Sequence, residues 1–246
     1  MLRISALLLS LTLVACATQL GVREKSDLRR QMFSQIVFAP DYDSRRADFL
    51  AKWASPLRIS LKDRDSESID KYKSTVITQI GILVRITGLD LALATENNPA
   101  NITIHFDTSD GFQKLAKTSA AKAEIAASGC SASISKDASH RITTARLLIL
   151  INPDAQEINL MSGTLNSALA RNEINRVTHC LIKGLIQILG FVNPSDVITP
   201  SIFNSSKNLS HPTSVDLKMI KTLYDASLKP GMPRREALLA AEKLLQ

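Results

Sequence analysis

The sequence predicts an α+β domain, a small mixed β-sheet packed on long helices, and three observations predict it. Short segments alternate apolar and polar residues or run continuously apolar, as strands do: "PLRISLKD" at 56–63, "NITIHFD" at 101–107 and "ARLLILINP" at 145–153. Two longer segments, 68–87 and 172–189, place apolar residues at spacings of three and four, as helices do. The segments follow one another as strand, helix, strands, buried helix, loop and helix, an order that sets helices on one side of a sheet. The 246 residues suffice for one domain with a sizeable core, and no internal repeat divides them.

Taken in order, residues 17 to about 30 are polar and charged, which suits a tether. "SDLRRQMFSQIVFAPDYDSRRADFLAKWASP" then predicts two short helices, the second capped by Ser44. After the strand at 56–63, the first long helix turns Ile69, Tyr72, Val76, Ile80, Leu83 and Val84 inward, and Gly88 ends it. "LDLALA" and "NITIHFD" follow as strands. Residues 108–144, rich in Ala, Ser and Lys, read as an irregular surface excursion with one short helix, and the run at 145–153 reads as a central strand. The second long helix carries Ile174, Val177, Leu181, Leu185 and Ile188 on one face. Ile182, Ile186 and Leu189 widen that face until the helix is apolar nearly all round, so it should be buried, with Gly190 just past its end. A loop dense in turn residues precedes a helix capped by Thr213 or Ser214, with Val215, Met219, Ile220 and Leu223 inward. "KPGMP" makes a turn, Pro233 suits the first helical position, and the chain closes on an amphipathic helix.

The opening residues, "MLRISALLLSLTLVACATQ", place Arg3 before an apolar run that is too short to span a bilayer and has the layout of a secretory signal. "LVAC" at 13–16 resembles the lipobox of bacterial lipoproteins; the alternative is a plain signal peptide that contains a cysteine. The resemblance implies cleavage after residue 15, acylation of Cys16 (palmitate among the chains) and a membrane-lipid partner. Ala17 follows instead of aspartate, which implies the outer membrane, facing the periplasm. Removing 1–15 takes away Arg3 alone among charged residues, so the formal net charge falls from +7 to +6. No run of five like charges occurs, aromatics are few and no recognition motif is present, so a nucleic-acid partner is not expected. A weak preference for anionic lipid or polysaccharide is compatible with the charge. With Cys16 acylated, Cys130 and Cys180 remain as an even pair in an oxidising compartment. We expect them to be bonded to each other; the alternative is two separate buried thiols.

The stretch "KGLIQILGFVN" at 183–193 has the spacing of H-E-x-x-H-x-x-G-x-x-H, and the element order is similar to that of metzincin-type zinc peptidases. On that pattern Lys183 and Gln187 stand for the two helical histidines, Gly184 for the general-base glutamate, Gly190 for the glycine and Asn193 for the third ligand. "PSIFN" at 200–204 resembles the Met-turn of matrixin-like enzymes, with Phe203 for methionine, and "SVDLKMIKTLY" at 214–224 resembles their closing helix. "KWASPLRIS", "CLIKGLIQILGF", "PSIFN" and "LYDASLKPGM" also resemble a group of secreted or lipid-anchored Gram-negative proteins characterised only as a domain of unknown function. There the helix usually reads C-L-x-E-E-x-x-Q; here Lys183 and Gly184 replace both glutamates.

The resemblance implies a signal peptide at 1–15, a tether and N-terminal segment at 16–43, a degenerate metzincin-like domain at 44–232 and a C-terminal helix at 233–246. Zinc catalysis needs three nitrogen, sulfur or carboxylate ligands and a metal-bound water. A lysine, a glutamine and an asparagine do not supply them, and Gly184 cannot take a proton. We therefore expect no catalytic residue, no metal and no cofactor at this helix. Scattered histidines are the remaining ligand candidates: His179 one turn before Lys183, and His211 in the closing loop, with His105 and Asp107 on a strand. The expected function is that of a non-enzymatic envelope protein that binds or scaffolds a protein partner. The alternative is a metal-dependent peptidase or cell-wall hydrolase with a different ligand set.

Overall fold

A computed structural model describes residues 24–38, 47–63, 67–116, 118–151, 165–204 and 209–246. Cys16, residues 1–15 (expected to be a signal peptide) and Ser44 lie outside these residues. The fold is a mixed α/β arrangement around one six-stranded, mostly parallel sheet. Helix α1 spans 24–38, and its Met32, Phe33, Ile36 and Phe38 are fully buried. It is the first of the two short helices expected after residue 26 and belongs to the core; only its charged start, 24–30, overlaps the expected tether. Strands β1 (Lys52–Trp53) and β2 (Leu57–Asp63) follow, then helix α2 (Glu67–Thr87), β3 (Leu91–Leu93) and β4 (Ile102–Asp107).

The excursion expected at 108–144 is two helices and two strands: α3 (Ser109–Leu115), α4 (Ser119–Ser128), β5 (Cys130–Lys136) and the start of β6 (Arg141–Leu150). β5 reads "CSASISK" and lacks the β-branched apolar run of a buried strand. Antiparallel pairing with β6 makes it a strand, a tertiary effect that overrides local composition. Helix α5 (Leu165–Gln187), α6 (Ser214–Leu223) and α7 (Arg234–Leu245) complete the chain.

The strands lie in the order β3, β2, β4, β6, β5, all parallel except β5, with β1 paired to the first residues of β6. Leu57, Ile59, Ile104, Phe106, Leu147 and Ile149 enter the main core, where Tyr72, Val76 and Ile80 of α2 and Val177, Leu181 and Leu185 of α5 also sit. Leu148 points the other way, into a second cluster with Ala116 and Ile125. Helices therefore cover both faces of β6, where the sequence had suggested one side only. The Cys130–Cys180 disulfide, with Cα atoms 5.8 Å apart, ties β5 to α5.

Two expected helix ends are made as the sequence implied. Gly88 has φ +70° and its N–H bonds Val84 O at 2.8 Å. Gly190 has φ +113°, and a Cβ there would lie 2.8 Å from Ala51 O. The second short helix expected near 44–55 is absent from the described part of that segment. Residues 48–50 instead clasp the turn before α7: Leu50 N bonds Met232 O at 2.9 Å, Gly231 N bonds Leu50 O at 2.9 Å and Arg234 N bonds Asp48 O at 2.8 Å. Helix α7 starts at Arg234, with Pro233 as its cap residue and not its first turn.

The buried end of α5 is closed by distant side chains. Trp53 Nε1 donates to Ile188 O at 2.8 Å, and Tyr224 Oη donates to Leu189 O at 2.7 Å. Beside them the Lys52 ammonium, 7% exposed, donates to Leu223 O and Leu228 O at 2.9 and 2.8 Å and lies 5.0 Å from the centroid of the Tyr224 ring. Loss of hydration lowers the Lys52 pKa to about 8, against a smaller opposing pull from Asp225. The unfolded chain then binds more protons than the folded one between pH 8 and the ordinary lysine value of 10.5. The buried charge weighs against folding below that window and is relieved across it. Wild-type stability should therefore rise relative to Lys52→Met between those pH values, by about 3 kcal/mol at most, in urea denaturation series. A difference between the two that does not change with pH would show that the ammonium is not held at the lowered value.

Candidate functional site

Helix α5 presents His179, Lys183 and Gln187 at intervals of four, hence on one side. His179 is 5% exposed, and its Nδ1 lies 2.8 Å from Leu209 O. A carbonyl only accepts, so Nδ1 carries the proton and Nε2 keeps a lone pair. Burial pushes the His179 pKa down, helped by the positive charge of Lys183 and opposed by the bond to Leu209; the ring is neutral at pH 7. Lys183 is half-buried. Loss of hydration lowers its pKa, and the carboxylate of Glu124, from α4, works against that. Glu124 in turn is raised by burial, while the Ser131 hydroxyl donated from β5 and the charge of Lys183 hold it down. The site therefore sets the Lys183 amine and the Glu124 carboxyl within electrostatic reach of one another, with the His179 imidazole one turn away on α5.

Gly184 and Asn193, by contrast, face elsewhere. Gly184 lies against the sheet: a Cβ there would stand 2.3 and 2.6 Å from the two Cδ atoms of Leu147, itself fully buried. The glycine is thus required by close helix-to-strand packing, and a bulky substitution would break that packing instead of filling a groove. Gln187 and Asn193 are buried, and Asn193 N–H bonds Ile36 O of α1 at 3.4 Å. As a donor set, Lys183, Gln187 and Asn193 offer an ammonium and two carboxamides, which do not fit zinc. His211 is exposed and bonds Ser210 at 2.8 Å, and among the described residues no three His, Cys, Asp or Glu side chains gather as a metal site.

His105 and Asp107 lie away from α5. They line an open depression of 480 Å³ at the carboxyl ends of β2 and β4, together with Lys62, Asp110 and Lys114. Burial lowers the His105 pKa, and Arg146 and Lys62 add to that.

The turn at "PSIFN" is built on one buried carboxylate. Asp216 accepts from Ser201 Oγ at 2.5 Å, from Ile202 N at 3.0 Å and from Thr213 N and Oγ1 at 2.7 and 2.8 Å. It closes a capping box on α6 and fixes the turn in the same stroke. Phe203 packs on Phe191 with centroids 5.4 Å apart. The sequence reading chose Thr213 or Ser214 as the cap; Thr213 is the one used. It passed over Asp216, although T-x-x-D is a capping-box spacing, and it passed over Glu124 inside the supposed excursion.

A family model covers residues 26–242. It describes DUF2927, proteins of unknown function. The chain belongs to this family. The match begins within α1 and ends within α7, so both terminal helices are part of the family's domain. No curated protein and no solved structure matches the chain.

Gly184→Ala should cost about 1–3 kcal/mol by overpacking against Leu147, in denaturant unfolding of the disulfide-intact chain. An unchanged midpoint would show that the helix can lift off β6 without penalty. Cys130→Ser with Cys180→Ser should cost roughly 4 kcal/mol in the chain-entropy model for a 50-residue loop. Alkylation of the unreduced chain should find neither thiol free.

Proposed function

We propose that this DUF2927 chain is a lipid-anchored periplasmic envelope protein of the outer membrane, whose metzincin-like domain is catalytically inactive and serves as a protein-binding or scaffold surface. The observation that carries the proposal is the side of α5 that bears His179, Lys183 and Gln187. Where the peptidase pattern calls for imidazoles it holds an ammonium and a carboxamide, and Glu124 of α4 offsets the ammonium. The order of strand, long helix, strands, buried helix, loop and closing helix supports the likeness to that domain. So does the tight turn at 200–204 ahead of α6.

A partner strand has a place to pair. β5 has β6 on one side and, among the described residues, no strand on the other, and Ser133, Ser135 and Lys136 are exposed there. An extended segment added to that edge would be held by main-chain hydrogen bonds. The lipobox-like "LVAC" supplies the anchor, and the disulfide suits an oxidising compartment.

Metal content tests the inactive reading. Chain purified without chelator should carry zinc well below one per molecule by elemental mass spectrometry, unchanged after zinc is offered and the excess removed. Near one zinc per chain would overturn the reading and make His179 and His211 the first positions to replace. The metzincin-like frame has its own test. Lys183→His, Gln187→His and Asn193→His together should restore three imidazole ligands and bind one zinc. A folded triple variant without affinity for zinc would show that the helix and its loop do not have the peptidase geometry.

A further inference from the structure

We propose that the face formed by the start of α1 and the exposed side of α6 rests on an anionic phospholipid surface. This inference rests on acylation of Cys16, and it adds which way the anchored domain is turned. Helix α1 is under way by residue 24, and eight residues of chain from Cys16 reach at most about 28 Å. The start of α1 is therefore held within that distance of the bilayer.

That neighbourhood is cationic. Arg29 Nη1 donates to Leu245 O at 3.0 Å, and Lys218 donates to Gln246 O, so the two cations stand at adjacent carbonyls at the end of α7. Lys221 lies one turn beyond Lys218 on α6 and is exposed. Loss of hydration lowers the Lys218 pKa, and the like charges of Arg29 and Lys221 lower it further, which places the three within electrostatic reach of one another.

On α1, Lys25, Leu28 and Arg29 share a side at spacings of three and four. Leu28, 38% exposed, is among the few large apolar side chains left open to solvent. Lys25 and Arg29, with the acidic Glu24, stand within one turn of the exposed leucine, and the two cations suit the headgroup region of a leaflet, where each lysine or arginine contributes about 1 kcal/mol with anionic lipid. Glu24 and Asp27 lie on the same helix, and Asp216 of α6 is turned inward and bonded. The exposed charge of α6 is thus wholly positive.

The experiment is lysine footprinting. The acylated chain is inserted into vesicles of phosphatidylethanolamine with phosphatidylglycerol, or into neutral phosphatidylcholine, and the rate of acetylation of each lysine is read by mass spectrometry. Lys25, Lys218 and Lys221 should react more slowly on the anionic surface, while Lys62 and Lys114, in the depression beside β2 and β4, should not change. Lys218→Glu with Lys221→Glu should return Lys25 to its rate on the neutral surface. Equal rates on both surfaces, whether slow or fast, would overturn the anionic assignment. The mass of the mature N-terminus reports acylation independently. If Cys16 carries no lipid, the anchoring reading fails by itself, and flotation of the unacylated chain still tests the patch. Binding to anionic vesicles should then fall about fivefold per lysine replaced, and no flotation at low salt would overturn the patch as well.

Discussion

Ending a helix inside the core is the constraint on which the arrangement depends. The last carbonyls of an α-helix have no partner within it, and water cannot reach them where α5 stops. Ile188 and Leu189 are both 1% exposed, yet their carbonyls are met by the indole of Trp53 and the phenol of Tyr224. A buried carbonyl left unmade costs about 1–3 kcal/mol, so neither ring is replaceable by an apolar one without loss. Those two donors draw β1 and the end of α6 to the same point. Lys52 then binds the carbonyls that α6 leaves open at its own end, and Gly190 lets α5 turn beside Ala51. The segments "KW", "ILG" and "LYD", far apart in the chain, are one construction.

The same construction determines what the candidate site can be. With its end fixed and Gly184 pressed on Leu147, α5 has no freedom to rotate about its axis. Lys183 is turned toward Glu124 and His179 toward Leu209. Chemistry there must draw on an amine, a carboxyl and an imidazole. That combination can neutralise itself or bind a polar group, and it supplies no donor set suited to a catalytic metal.

How much of this the sequence disclosed depends on whether local or distant residues decide each element. β2, α2, β4, β6 and α5 carry periodic apolar residues whose burial is their reason to form, and all were legible. β5 was not, because alternating Ser and Ala leave no hydrophobic signal, and only pairing with β6 makes a strand of them. Helix α1 was legible from residue 26 onward, but its charged start reads equally as tether because its apolar face begins only at Met32. For the candidate site, the spacing at 183–193 falls largely on α5, which is buried as expected. Sequence could not show that Gly184 meets the sheet, nor that Glu124 comes in from α4, since both depend on which strands are neighbours. The pairing of Cys130 with Cys180 was legible once Cys16 was set aside as the expected acylation site.

The seam between the two terminal helices has a consequence for how the molecule is made. Arg29 reaches Leu245, and Arg234 reaches Ser34 and lies 5.8 Å from the ring of Phe38. A chain delivered from its N-terminus presents α1 first and its fastening last, more than two hundred residues later. Until then Phe33, Ile36 and Phe38 have only part of their final cover. Such late-closing topology folds slowly and offers sticky intermediates to neighbours. A chaperone that shields exposed apolar surface would suit that interval, and truncation of the last dozen residues would prolong it.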